Sequence, residues 1–309
     1  MRFVIVGGGP AGVHAASHAA RLGVEVVLIE RDVIGGAAHL RDCIPSKTMI
    51  ATGGALSSLE RMPGMGLGRA TAAVDLGSLA KRVVDVQGRL EAHATELLTS
   101  QGVRLVRGSG RLCGPNTVAA DTPEGERTFD ADAILLSTGS RPRVPDWADP
   151  DGDRVLTTRQ AYPPPVLPEH VAVVGSGVTG VEFVHMFNSL GSEVSLVVSR
   201  HHVLPNKDAE VAAALEEDFL ARGVRLLKGA RATGIERRAD GVRVHCDDGR
   251  EVVASHVLLA VGSIPNTESL GLEAAGLAAD DGGYLSVNHH CQTDVPHVYA
   301  AGDISGKLP

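Results

Sequence analysis

Cys43 is the residue of this chain whose type and surroundings point most directly to chemistry. It stands in the stretch Gly35-Gly36-Ala37-Ala38-His39-Leu40-Arg41-Asp42-Cys43-Ile44-Pro45-Ser46-Lys47. Pro45 suits the first turn of a helix, where its missing N–H costs nothing, and residues 46 to 62 read as that helix. A cysteine just ahead of a helix start lies at the positive end of the helix dipole, which favours the thiolate. The bland alternative is a small hydrophobe that needs no function. Lys47 follows Cys43 by one helical turn, and Glu182 lies far downstream on another predicted helix; taken alone, both are ordinary exposed charges. A further cluster, Ser199-Arg200-His201-His202, is suited to a phosphate or to nothing more than a solvated basic turn. Cys113, Cys246 and Cys291 read as structural, with no C-x-x-C, no metal-ligand spacing and no catalytic triad.

Two glycine-rich turns position these groups. Phe3-Val4-Ile5-Val6 runs into Gly7-Gly8-Gly9-Pro10-Ala11-Gly12, a helical pattern follows to Leu22, and a strand from Val24 to Ile29 ends at Glu30 and Arg31. Strand, G-x-G-x-x-G, helix, strand and acid form a dinucleotide-binding βαβ unit. Gly7 makes the tight turn, Gly9 lets backbone approach a pyrophosphate, Gly12 lets the helix pack on the strand, and Glu30 would accept from ribose hydroxyls. Val171 to Val174 leads into Gly175-Ser176-Gly177-Val178-Thr179-Gly180, a helix to Leu190 and a strand from Val194 to Val198, so the unit occurs twice. A small residue, an arginine and two histidines then stand where an acid usually holds the ribose of NAD, which favours the 2′-phosphate of NADPH, NADH being the other possibility.

The remaining segments complete an α/β pattern. Helices are expected at 46–62 and 78–101, the second with Val83, Val86, Leu90, Ala94 and Leu97 as a packing stripe. Strands are expected at 103–107, 133–136, 224–228, 242–246 and 256–261, and Asp208 is expected to cap a helix through 222 with Val211, Leu215 and Phe219 on its apolar face. Residues 141 to 168, rich in proline and aspartate, read as a boundary. With 309 residues two domains are expected. A net charge of −8 without a long basic run argues against nucleic acid. No apolar run reaches membrane-span length, and the first strand begins at Arg2, which leaves no room for a signal peptide. Four scattered cysteines fit a reduced, cytoplasmic setting.

The stretch 35–47 resembles the redox-active segment of the flavoprotein pyridine nucleotide-disulfide reductases, such as dihydrolipoamide dehydrogenase and glutathione reductase, in which it reads G-G-T-C-x-N-x-G-C-x-P-S-K. Here the second cysteine is Cys43 and the first is Ala38. Three more segments resemble the family in order: Ser137-Thr138-Gly139 and Val261-Gly262-Ser263, where the chain leaves each nucleotide-binding fold, and Ala300-Ala301-Gly302-Asp303, whose aspartate would meet the flavin ribityl chain. The resemblance implies an α/β protein of two Rossmann-like three-layer domains: an FAD domain over 1–149, an inserted NAD(P)H domain over 150–284, and a return to the first over 285–309. Gly36, Ala37 and Asp42 would join the FAD contacts, and Cys43 would lie beside the isoalloxazine ring. Lys47 and Glu182 would pair near the reactive flavin nitrogen, where a cation favours reduced flavin. Val178 replaces a tyrosine that in many relatives covers the flavin face. Family members continue into a C-terminal interface domain, absent from this chain, so a homodimer is expected only of a longer form.

A disulfide needs two sulfurs, and Ala38 supplies none. The resemblance is therefore to the branch that lost the first cysteine and acts as NAD(P)H:quinone reductase, with hydride passing from NADPH to FAD and on to a quinone. Three alternatives stay open: a disulfide reductase that borrows a thiol from its substrate, a noncatalytic binding module acting as a redox sensor, and a shortened piece of a longer active protein.

Overall fold

The run Phe3 to Val6 is short, apolar and rich in β-branched residues, the signature of a strand buried on both faces. In the computed structural model, which describes residues 1–306, it forms the centre of β1 (Arg2–Val6). The chain continues through α1 (Pro10–Arg21), β2 (Glu25–Glu30), α2 (Ile44–Arg61), α3 (Leu76–Ser100) and β3 (Arg104–Arg107). An antiparallel meander of β4 (Ser109–Gly114), β5 (Thr117–Thr122) and β6 (Gly125–Asp130) precedes β7 (Ala133–Leu136) and the short β8 (Ser140–Pro142). Then come β9 (Val155–Thr157), β10 (His170–Val174), α4 (Val178–Ser189), β11 (Glu193–Val198), α5 (Ala209–Ala221) and β12 (Arg225–Lys228). A second meander, β13 (Ala232–Arg238), β14 (Gly241–Cys246) and β15 (Glu251–Ala254), precedes β16 (His256–Leu259), β17 (Ser263–Pro265) and β18 (Val298–Ala300).

Two compact units result. The first contains Met1–Cys43, Asp85–Arg141 and the residues from Ser263 on; the second contains Ile44–Val84 and Pro142–Gly262. These crossings lie earlier than the 149/150 and 284/285 boundaries the sequence suggests, and side-chain packing explains the difference. Ala148 joins the core of the second unit, Leu270, Leu272 and Leu277 join that of the first, and Met49 and Leu79 draw residues 44–84 into the second.

Each unit has a five-stranded parallel sheet, ordered β3-β2-β1-β7-β18 in the first and β12-β11-β10-β16-β9 in the second. Side chains alternate across each sheet with period two. In the first unit Val4, Val6, Val27 and Ile29 face a core shared with the meander, while Ile5, Val26 and Leu28 face a core that includes Ala16 of α1 and Leu98 of α3. In the second unit Val174, Val197 and Leu259 pack with the meander, and Val173, Leu196 and Leu258 pack with Phe183 and Phe187 of α4 and Phe219 of α5. Each fully buried aliphatic side chain in these layers contributes roughly 1.5–3 kcal/mol. Among the described residues no helix is long and apolar enough to cross a membrane.

Two helix faces differ from expectation. Asp208 does cap α5, accepting from the N–H groups of Glu210 and Val211, but the buried face is Ala212, Glu216 and Phe219, while Val211 is 57% exposed. In α3, Val83 is buried as expected, but the stripe ends on Leu98 rather than Leu97, because Leu98 enters the first unit's core.

Candidate functional site

The first cradle is built by three glycines, each for a distinct steric reason. Gly7 turns at φ +106°, and a Cβ on it would meet the Ser137 carbonyl oxygen at 2.3 Å. A Cβ on Gly12 would lie 2.0 Å from the Gly7 oxygen, so only glycine lets α1 approach β1. A Cβ on Gly9 would meet nothing closer than 3.9 Å. Gly9 is the N-cap of α1 and makes no side-chain cap bond, Pro10 occupies the first turn, and Ala11 follows. The opening therefore has room for a pyrophosphate and helix N–H donors to hold it. Glu30 closes one side: its carboxylate accepts from Gly8 N–H at 2.6 Å and Asp32 N–H at 2.7 Å, and it retains acceptor capacity for ribose hydroxyls. Arg31 beside it is exposed.

Two later segments return to this cradle. Ser137, named in the sequence only as part of its segment, is buried and donates to the Gly7 carbonyl at 2.8 Å. Gly302 adopts φ +84°, ψ −158°, a region open essentially to glycine, and brings the late motif beside Ala11. Asp303 accepts from the Ser140 hydroxyl at 2.6 Å. Gly139 turns at φ +65°. The Thr138 hydroxyl is committed to the Asn266 carbonyl at 2.8 Å, and Asn266 returns a bond to the Thr138 carbonyl.

The second cradle repeats the first. Its N-cap, Gly177, has φ −72° and ψ −175°, against −72° and −176° at Gly9. A Cβ on Gly175 or Gly180 would collide with backbone oxygen at 2.3 or 1.9 Å, whereas one on Gly177 meets nothing within 4 Å. Val178 and Thr179 open α4 and are exposed, as is Gly262. Strand register corrects one assignment. Ile29 pairs with Val6 and Val197 pairs with Val174, so the residue matching Glu30 is Val198, not Ser199. Val198 is fully buried and accepts nothing through its side chain. Ser199 and Arg200 follow it, exposed.

The cysteine segment departs from expectation. Helix does not start after Cys43: Ala38–Cys43 forms a wide π-helical turn that runs directly into α2. Cys43 is therefore not on a helix N-terminus, and the helix dipole, whose effect is confined to the first turn, gives its thiolate no support. Pro45 is tolerated within the helical run because the preceding turn is widened, which relieves the ring's clash with the carbonyl one turn back. The segment is fastened at both ends within the first unit. Gly35 N–H donates to the Gly8 carbonyl at 2.8 Å, and Gln87 of α3 donates to the Leu40 carbonyl. A Cβ on Gly36 would lie 2.3 Å from Gly9 Cα, so this glycine packs on the first cradle. Ala37 and Asp42 are partly buried, and Ala38 and Cys43 are exposed.

Lys47 and Glu182 pair within the second unit, with Lys47 Nζ 2.7 Å from Glu182 Oε1. Ser46, missed by the sequence reading, is buried and donates to Glu182 Oε2 at 3.2 Å, which fixes the carboxylate. Their side chains are 60% and 34% exposed, so the pair stabilises the fold by only ~0–1 kcal/mol. Burial, then the Arg222 guanidinium, push the pKa of nearby His185 down, which leaves it neutral as an acceptor from Arg222 at 3.0 Å. Among the described residues no cluster of three or more histidine, cysteine or acidic side chains could hold a metal.

Each unit thus carries a glycine-rich turn at the end of a parallel sheet, the arrangement of a dinucleotide-binding fold. Residues 1–309 match the pyridine nucleotide-disulphide oxidoreductase family, and the chain belongs to it. The cofactors of that family are FAD and NAD(P)H. The chain is 44% identical to the NAD(P)H dehydrogenase (quinone) of Mycobacterium tuberculosis, covering all of this chain and 65% of that one. It is 32% identical to the dihydrolipoyl dehydrogenase of Zymomonas mobilis, over 98% of this chain and 66% of the relative. Among solved structures, LpdA of M. tuberculosis superposes with a TM-score of 0.94 at 44% identity, over 100% of this chain and 69% of that one. The flavoprotein disulfide reductase RclA of Escherichia coli superposes at 0.87 with 25% identity, over 100% and 67%.

Proposed function

We propose that this protein is an FAD-dependent oxidoreductase that takes hydride from NAD(P)H and passes the electrons to a quinone-type acceptor without a redox disulfide. One observation carries the reading: the position that holds the first sulfur in two-cysteine relatives is Ala38, whose methyl group can neither attack nor store electrons as a disulfide. The relative named NAD(P)H dehydrogenase (quinone) supports the same acceptor.

The first cradle, with Glu30, Arg31, Gly36 and Asp303, holds FAD, and the second, with Ser199 and Arg200, holds the nicotinamide nucleotide. NADPH is preferred, because Val198 leaves the ribose without a carboxylate and Arg200 offers a cation to a 2′-phosphate. Bound FAD supplies the two-electron chemistry. Lys47, oriented by Glu182 and Ser46, supplies a positive charge that favours the reduced cofactor. Val178 leaves the acceptor side open to a planar molecule. The scattered cysteines support a reduced, cytoplasmic setting, and a form that carries the family's interface domain would act as a homodimer.

The test compares naphthoquinone with lipoamide and glutathione disulfide as acceptors, in the protein and in Cys43→Ala. Quinone turnover that survives the substitution, with negligible disulfide turnover, is the expected result. Disulfide turnover that vanishes in Cys43→Ala, with quinone rates at background, refutes the reading.

A further inference from the structure

We propose that Glu216 is a positioning residue for the 2′-phosphate of NADPH: it fixes the loop that carries Arg200. The proposal rests on the NADPH reading above and deepens it. Arg200 and His201 are exposed, so their placement depends on the backbone beneath them. That backbone leaves β11 at the carboxyl edge of the parallel sheet, where dinucleotides bind in such folds. Three bonds hold it. The Arg200 carbonyl accepts from Gly229 N–H at 3.1 Å, Val203 N–H donates to Glu216 Oε1 at 2.9 Å, and Leu204 N–H donates to the Ser176 carbonyl at 2.8 Å. The last ties the loop to the glycine turn itself. Leu204 sits at φ +50°, a strained conformation for a side chain of its size, so the surroundings must hold it there.

Glu216 is the one of these anchors that is a side chain, and its location is unusual. It occupies the buried face of α5 between Ala212 and Phe219 and is 9% exposed, where helical periodicity calls for an apolar residue. A buried carboxylate is costly unless each oxygen is engaged. Both are: Oε1 takes the buried Val203 N–H, and Oε2 takes Lys228 Nζ at 2.7 Å. Lys228 is the β12 residue in register with Val198. The carboxylate thus joins the loop to the strand beside the ribose position. Removing it leaves the Val203 N–H unsatisfied and the Leu204 conformation unsupported, and the loop relaxes away with Arg200. A ligand without a 2′-phosphate does not use that loop.

Calorimetric titration with NADP⁺ and NAD⁺, which differ only in that phosphate, tests this in the protein and in Glu216→Ala, Glu216→Asp and Glu216→Gln. The protein is expected to prefer NADP⁺. Glu216→Ala should cut the preference about tenfold, and Glu216→Asp, one methylene short of Val203, about threefold, with NAD⁺ affinity within about twofold throughout. Glu216→Gln keeps an acceptor for Val203 but turns an NH2 donor toward Lys228, and should retain more of the preference than Glu216→Ala. Preference intact in Glu216→Ala and Glu216→Asp, or equal loss of both nucleotides, overturns the positioning role; should the alanine variant not fold, Glu216→Asp decides by the same criteria. A protein with no preference for NADP⁺ removes the NADPH reading itself and this proposal with it.

Discussion

Gly9 and Gly12 lie three residues apart in one motif, and the structure assigns them opposite consequences on substitution by alanine. At Gly9 the backbone is at φ −72°, ψ −176°, which alanine adopts freely, and the new Cβ meets nothing closer than 3.9 Å. The loss of glycine as N-cap costs about 0.5–1 kcal/mol and the reduced unfolded-chain entropy returns about 0.4–1 kcal/mol, so flavin-free stability stays nearly unchanged. The added methyl instead occupies the space a pyrophosphate needs. Losing one charge-assisted bond, worth about 1.5–3 kcal/mol, weakens flavin binding roughly 10- to 100-fold. At Gly12 the Cβ would lie 2.0 Å from the Gly7 oxygen, which is also held by Ser137, so neither side yields. That overpacking costs about 3 kcal/mol or more, lowering the melting temperature by roughly 6–12 °C for a unit of this size. Thermal melts of flavin-free protein and a flavin fluorescence titration separate the two effects. Native flavin affinity in Gly9→Ala, or a melting temperature as low as that of Gly12→Ala, would refute the steric reasoning.

Arg200→Glu should invert the nucleotide preference, read as the ratio of kcat/KM for NADPH and NADH; an unchanged ratio removes Arg200 from the 2′-phosphate site. Lys47→Met should change stability by less than ~1 kcal/mol, because the pair is exposed, yet slow flavin reduction by about tenfold or more through loss of the cation; stopped-flow reduction and thermal melts check both. Burial pushes the Asp151 pKa up, but N–H groups of Val155, Asp153 and Arg154 and the Arg237 guanidinium outweigh it and bring it down to about 2. A depressed carboxylate stabilises the fold above its unfolded pKa of about 3.9 and loses that contribution as pH falls through the folded value. Acid unfolding between those limits should therefore be blunted in Asp151→Asn, and an unaltered acid limb would count against it.

The glycine motifs were legible because their spacing is dictated by backbone collisions that hold in any sequence with this turn. The cap at Asp208 was legible because one side-chain oxygen beside a helix start can do little else. The segment at 35–47 was misread because proline in a first turn and proline after a widened turn look alike in a string of letters. Val198 was passed over for Ser199 because strand ends are vague in sequence and exact in register. One-residue errors at Val211 and Leu97 share a cause: adjacent apolar residues fit helical periodicity almost equally, and only the tertiary core chooses. Ser46 and Ser137 stood inside recognised segments but without a role, and Glu216 stood outside them, since what these three do exists only through partners distant in the chain.

The widened turn at Ala38–Cys43 has a bearing on how this chain stands to its two-cysteine relatives. A π-helical turn bonds residues five apart and so stacks them, the separation of the two sulfurs in those relatives. In this chain the turn sets Ala38 and Cys43 at that separation, with one sulfur between them. Frame and chemistry are thus separable here: Gly35 and Gly36 ahead of the turn pack on the first cradle and Gln87 holds the Leu40 carbonyl within it, and none of these contacts involves the side chain at position 38. On the proposed reading, disulfide chemistry and its absence are one side chain apart in this segment, and the nucleotide folds need no rebuilding to move between them.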